Sequence, residues 1–229
     1  MGAEFDSFAT SYDEDLERGL ALTGEGKEYY AAQRVMAVRR RLDHLGVTPR
    51  RILDFGCGTG TAAPLLKGLL GADLVVGVDP SSASLARARS DFGAPGVDFA
   101  SPDDRAPDGT FDLAFTNGVF HHIPIAERQA AIEYVRGSLR SGGVFAFWEN
   151  NPFNPGTRWV MRRVAFDREA VMLTPSEARR LLRGAGMTIV ATEFHFVFPR
   201  PFKWLRGLEP LLRGLPVGGQ YLVVATRPG

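Results

Sequence analysis

The sequence predicts an α/β fold: a doubly wound, mostly parallel seven-stranded sheet with helices on both faces. Three observations carry this. Short apolar runs that end in polar or glycine-rich turns alternate with segments whose apolar residues recur at helical spacing. One strand-like run, RILDF, leads directly into glycines at every second position, Gly56, Gly58 and Gly60. Further on, Thr174-Pro175-Ser176-Glu177 reads as a capping box with proline at the first helical position.

The elements follow in order. Phe5, Phe8 and Tyr12 recur at about one helical turn, and EYYAAQRVMAVRRRL continues the helical pattern. Strands are expected at 51–55, 74–79, 97–100, 111–116 and 144–149, with helices at 62–70, 82–90 and 126–140 between them. In the last helix Ile132, Val135 and Leu139 share one face. Such alternation implies right-handed crossovers and a parallel sheet. A helix beginning at Thr174 presents Ala178, Leu181, Leu182 and Ala185 and ends near Gly186. Strands at 188–198 and 221–225 follow, and the Pro- and Gly-rich stretch PRPFKWLRGLEPLLRGLPVGG between them is too long for a hairpin turn. It reads as a lid-like insertion before the last strand.

Composition narrows the function. The 229 residues fit one domain, expected as a helical lid over 1–48, a ligand-binding core over 50–150, and acceptor-side and C-terminal strands over 151–229. A net charge of +1 singles out neither nucleic acid nor an anionic membrane. The single cysteine, Cys57, excludes an intrachain disulfide and a multi-cysteine zinc site, and no metal is expected. The acidic N-terminus does not read as a signal peptide, and Asp6 stands where a myristoylation motif wants Ser or Thr. No run approaches the roughly 20 apolar residues of a membrane span. A soluble cytoplasmic protein is the expectation.

The glycine stretch is the chemical signal. In an open parallel sheet ligands bind beyond the carboxyl ends of the strands, where glycines let the backbone turn tightly and approach a ligand. A bare β-to-α turn would also use them, but Asp54 lies two residues before Gly56, and Asp79 ends the second strand, placed to accept two ribose hydroxyls. Dinucleotide binding wants G-x-G-x-x-G, whereas the third glycine here comes one residue early. Asp54 would repel a pyrophosphate and suits an ammonium group. No Gly-Lys-Ser/Thr follows, so a P-loop also fails. The ligand implied is a nucleoside with an amino-acid tail, S-adenosylmethionine.

Residues 52–148 resemble the class I S-adenosylmethionine-dependent methyltransferases, and the flanks, 5–12 and 150–155, resemble the small-molecule subgroup. Asp54-Phe55-Gly56-Cys57-Gly58-Thr59-Gly60 matches the first motif, and Val78-Asp79-Pro80-Ser81 the acidic end of the second strand. Phe111-Asp112-Leu113 through His121-His122-Ile123 resembles the fourth strand with its turn, and Leu139 to Gly143 the entry to the fifth. The resemblance implies that the glycines make room for the cofactor's methionine half. It gives Asp79 the ribose, Pro80 the adenine face, Asp54 the ammonium, and Asp103, ahead of Asp104, the adenine amino group. Thr116 and Asn117 would face the methionine tail. Cys57 and Thr59 complete the loop, Cys57 as a small packed thiol. Arg34 is a candidate for the cofactor carboxylate, because arginine grips a carboxylate with two hydrogen bonds, and Tyr12 or Tyr29 would help to close the site.

For the acceptor, His121 and His122 lie beyond a strand end beside the expected cofactor, one structural and one catalytic, with His121 the choice for a general base. Glu149, Asn150 and Asn151 could orient an acceptor or cap a loop, and Arg158 and Trp204 belong to segments that mix basic with large apolar groups. Those segments fit a lid over an apolar or anionic small molecule, a helix pair completing the core, or a peripheral membrane contact, the last opposed by Pro210. No basic stripe or recognition domain suggests nucleic acid. The expected function is methyl transfer to a small-molecule acceptor, oxygen ahead of carbon or nitrogen, with S-adenosylhomocysteine as product. The alternative is the same cofactor bound without methyl transfer, in a binding module or in a cyclase or isomerase.

Overall fold

The computed structural model describes residues 24–164 and 170–229. Phe5, Phe8 and Tyr12, with most of the expected lid, lie outside the described residues. The chain then runs α1 (Lys27–Leu45), β1 (Arg51–Phe55), α2 (Ala63–Leu70), β2 (Leu74–Val78), α3 (Ser82–Phe92), β3 (Val97–Ala100), β4 (Phe111–Asn117) and α4 (Arg128–Ser138). Next come β5 (Leu139–Asn150), α5 (Pro155–Met161), α6 (Pro175–Gly184), β6 (Thr188–His195), a 3-10 helix (Arg200–Leu208), α7 (Glu209–Leu212) and β7 (Gln220–Thr226).

The sheet order is β3-β2-β1-β4-β5-β7-β6. Every pairing from β3 to β5 is parallel, while β7 runs antiparallel to both β5 and β6. Side chains alternate across a strand, so neighbours divide between the faces. Ile52, Val75, Leu113, Val144 and Leu222 join Val35, Val38 and Leu42 of α1 and Leu66 of α2 in one core. Leu53, Val76, Ala114, Phe145 and Val223 join Ile132 and Val135 of α4 and Leu182 of α6 in the other. Both faces are covered, which is why these strands read as nearly continuous apolar runs.

The cap of α6 forms as its sequence dictates. Thr174 Oγ1 accepts from the Glu177 amide at 3.2 Å, and the Glu177 carboxylate accepts from the Thr174 amide at 2.7 Å. Several boundaries differ from the sequence expectation, and two places have a clear cause. Helix α4 stops at Ser138 and β5 begins at Leu139, because Leu139 pairs with Phe111 ahead of a register shift. Strand β6 stops at His195, because Phe196 takes a left-handed φ of 64° and the Val197 and Phe198 amides turn to the Glu209 carboxylate.

Candidate active site

The chain leaves β1 towards β2 and β3 on one side, while β4 lies on the other, so the winding reverses between β1 and β4. Ligands of open α/β sheets bind at such a switch point. A cavity of about 530 Å³ opens here, with Phe55, Gly58, Asp79, Pro80, Asp103 and Asn117 among its lining.

The motif glycines divide into two kinds. All three have positive φ, 71° at Gly56, 51° at Gly58 and 81° at Gly60. A side chain on Gly58 would meet nothing within 4 Å, so this glycine faces open space. A Cβ on Gly56 would sit 2.4 Å from Val119, and one on Gly60 2.8 Å from the Phe99 ring. The positive φ favours glycine at all three; beyond that, Gly58 leaves open space, whereas Gly56 and Gly60 make room for the protein's own side chains.

Backbone amides then fix the acids. Asp79 Oδ2 accepts from Gly58 N and Oδ1 from Ser81 N, both at 2.9 Å, which aims the carboxylate across the end of β2. Asp54 is buried, its Oδ2 has no hydrogen-bond partner among the described residues, and its pKa is pushed up to about 7, first by burial and then by Asp79. Burying a carboxylate without a partner is costly, and a cationic group nearby would relieve that cost. Asn117 Oδ1 is likewise buried without a partner. This set of acceptors fits a ligand carrying ribose hydroxyls and an ammonium group. Thr59 lines the cavity, while Cys57 is buried against the sheet, its thiol pushed well up by burial and by Asp54 and Asp79. Of the two candidates for the adenine amino group, Asp103 lines the cavity and Asp104 does not. Thr116 is wholly buried and donates to the Phe55 carbonyl at 2.9 Å, so its hydroxyl ties β4 to β1.

A second cavity of about 530 Å³ adjoins the first and shares Asn117, Gly118 and His122 with it. His121 lines the second, its Nδ1 2.6 Å from Glu149 Oε2 and its ring 4.1 Å from that of His122. Glu149 also accepts from the Phe120 amide at 2.7 Å and the Asn150 amide at 3.2 Å. Fully buried, it holds His121 and has no face for an acceptor, contrary to its expected place on the rim. Asn151 is buried as well, bonding Pro216, Gly218 and Phe153 backbone atoms as a loop clamp. Asn150 does line the second cavity and accepts from Gln220 at 2.9 Å.

Arg34 lines this second cavity and not the glycine loop; its Nε donates to Gln220 Oε1 at 2.7 Å and its guanidinium lies 5.8 Å from the Phe196 ring centre. Arg158 and Trp204 line neither cavity, and Trp204 is 75% exposed. Trp159, one residue beyond Arg158, takes the wall position, with Tyr29, Tyr30, Phe196 and Gln220. Gln220 faces Asn150 through the antiparallel register of β5 and β7, and nothing local announces either Gln220 or Phe196.

A glycine loop and fixed acids at the switch point of this sheet define a nucleoside-binding α/β protein. Residues 52–143 match a family model described as a methyltransferase domain. Trans-aconitate 2-methyltransferase of Acidovorax sp. (strain JS42) is 30% identical over 189 residues, 73% of this chain and 72% of the relative. The enzyme of that name from Rhodopseudomonas palustris (strain BisB18) is 34% identical over 120 residues, 52% of this chain and 45% of its own length, so the chain spans about half of that relative. A methyltransferase structure from Thermotoga maritima shares the fold at a TM-score of 0.67 and 19% identity, over 99% of this chain and all of that one (100%). The cyclase SpnF shares it at 0.56 and 22%, over 78% of this chain and 74% of that one. The chain belongs to the class I S-adenosylmethionine-dependent methyltransferases.

Proposed function

We propose that the protein binds S-adenosylmethionine in the first cavity and catalyses methyl transfer to an oxygen of a small molecule held in the second. The observation that carries this reading is the junction, where Asn117, Gly118 and His122 belong to both cavities and the buried His121–Glu149 pair lies on the acceptor side. Asp79 would hold the ribose hydroxyls, Asp103 the adenine amino group and Asp54 the ammonium. When bound, the cofactor supplies an already activated methyl group, so the protein's task is alignment and exclusion of water. His121 takes the proton that a hydroxyl acceptor gives up, and Glu149 holds the ring in the tautomer that allows it. Lys27, Arg34 and Arg206 line the second cavity beside Tyr29, Trp159 and Phe196, which suits an acceptor with an apolar body and a negative group. Relatives named for a small organic acid support that size and charge.

The test is incubation with methyl-labelled cofactor and a panel of phenolic, enolic and carboxylic acceptors. Labelled product with stoichiometric S-adenosylhomocysteine is expected from at least one. Tight cofactor binding with no turnover on any acceptor would favour a protein that uses the fold without methyl transfer, as the cyclase among its structural neighbours shows the fold allows.

A further inference from the structure

The segment between β6 and β7 has two sides. Its inner side walls the second cavity through Phe198, Pro199, Arg206 and Glu209. On the outer side Phe202, Trp204, Leu208, Leu211, Leu215 and Val217 are all exposed, Trp204 at 75% and Leu211 at 80%. Isolated exposed apolar residues are ordinary, but six in sixteen consecutive positions form a surface that calls for a partner. Leu205 and Leu208 lie three apart in the 3-10 helix, the spacing that aligns side chains along one edge, and Leu211 follows in α7.

Charge says what the partner is. The stretch 199–217 carries Arg200, Lys203, Arg206 and Arg213 against one acid, Glu209, whose carboxylate is turned inward to cap the Val197 and Phe198 amides. Arg200 and Lys203 are exposed among the apolar groups, and Arg40 of α1 lies close enough to Arg213 for each to feel the other's charge. Arg206 is paired with Glu25 at 2.9 Å, but exposed Trp and Leu interleaved with the exposed Arg200 and Lys203 match an anionic lipid interface, where indole and aliphatic groups enter the headgroup layer and Lys and Arg meet phosphates. Among the described residues no helix is long and apolar enough to cross a membrane, so the contact is adsorption. We propose that the outer face of residues 200–217 docks the protein on the surface of an anionic bilayer. This placement is independent of the reaction read above.

The experiment is sedimentation of the full chain with vesicles of phosphatidylcholine alone or with phosphatidylglycerol added. Binding is expected to the anionic vesicles only and to fall steeply between 0.1 and about 1 M salt, where screening shortens to about 3 Å. Lys203→Glu should weaken it about five-fold or more, and Leu208→Glu with Leu211→Glu should abolish it. Ile125→Glu, at an exposed apolar residue outside the segment, should leave it unchanged. Melting curves and cofactor titrations of each variant establish that the fold is retained. Absence of binding to anionic vesicles, or binding undiminished by the two leucine substitutions, overturns the proposal. So does a vesicle-independent dimer that those substitutions dissociate, which would assign the face to a second copy of this chain.

Discussion

Glu149 Oε2 stands 2.6 Å from His121 Nδ1, with side-chain exposures of 1% and 3%. The contact joins the end of β5 to the turn after β4, and so ties the geometry of the second cavity to the sheet itself.

If that pair removes a proton, His121→Phe should lower kcat by roughly 10²–10⁴-fold. Cofactor affinity, measured by calorimetry, should change little. Glu149→Gln keeps the shape but removes the charge that favours the imidazolium, so the acidic limb of the pH–rate profile should move to lower pH. A profile that keeps its limb in both variants would show the pair to be structural.

The division among the motif glycines is open to a similar test. Gly58→Ala should cost only the strain of its positive φ, about 1–2 kcal/mol, since its Cβ meets nothing, yet weaken cofactor binding strongly. Gly60→Ala pushes a methyl into Phe99 and Ala88 and should cost about 1–3 kcal/mol from overpacking alone, seen as a lower melting temperature. The reverse pattern would return ligand space to Gly60.

Asp54 links stability to pH. Its folded pKa of about 7 lies above the ordinary 3.8, so the folded state holds the proton more tightly than the unfolded chain. Stability from this group is therefore greatest below about pH 4, falls as pH rises towards 7, and stays reduced above it. At about 1.4 kcal/mol per pH unit the penalty reaches a few kcal/mol. Asp54→Asn should melt higher than the parent at pH 8, with the advantage shrinking towards pH 5, while losing cofactor affinity. Equal melting at both pH values would mean that the carboxylate is solvated.

Arg34 distinguishes the cavities. Bonded to Gln220 in the second, Arg34→Ala should raise the acceptor KM at least ten-fold. Calorimetry with cofactor alone decides its other candidate role: a comparable loss of cofactor affinity would mean that the guanidinium reaches the cofactor carboxylate as well.

Several of these features are legible before any coordinates. Strand β1 reads true at both ends because an apolar run bounded by Arg51 and the glycine loop leaves no other period. The α6 cap reads true because its chemistry is local. Glu149 does not. It follows the apolar run 144–148 in a strand buried on both faces, so it needs an internal partner, and that partner lies 28 residues earlier. Nor does the end of β6, since a left-handed phenylalanine at 196 has no compositional signature. Local grammar is written in neighbouring residues; pairings across the sheet are not.

The placement of β7 bears on how the molecule is made. It follows β6 in sequence yet sits between β5 and β6, bonded to both. During vectorial synthesis β1 to β5 can assemble while β6 has nothing to pair with, and the edge of β5 stays open until Gln220–Thr226 emerges. The start of the same strand brings Gln220, and Gly219 just before it, to the second cavity. The nascent chain therefore acquires the first cavity early and completes the second only when this hairpin inserts, a late, non-local step expected to be slow and exposed to misassociation.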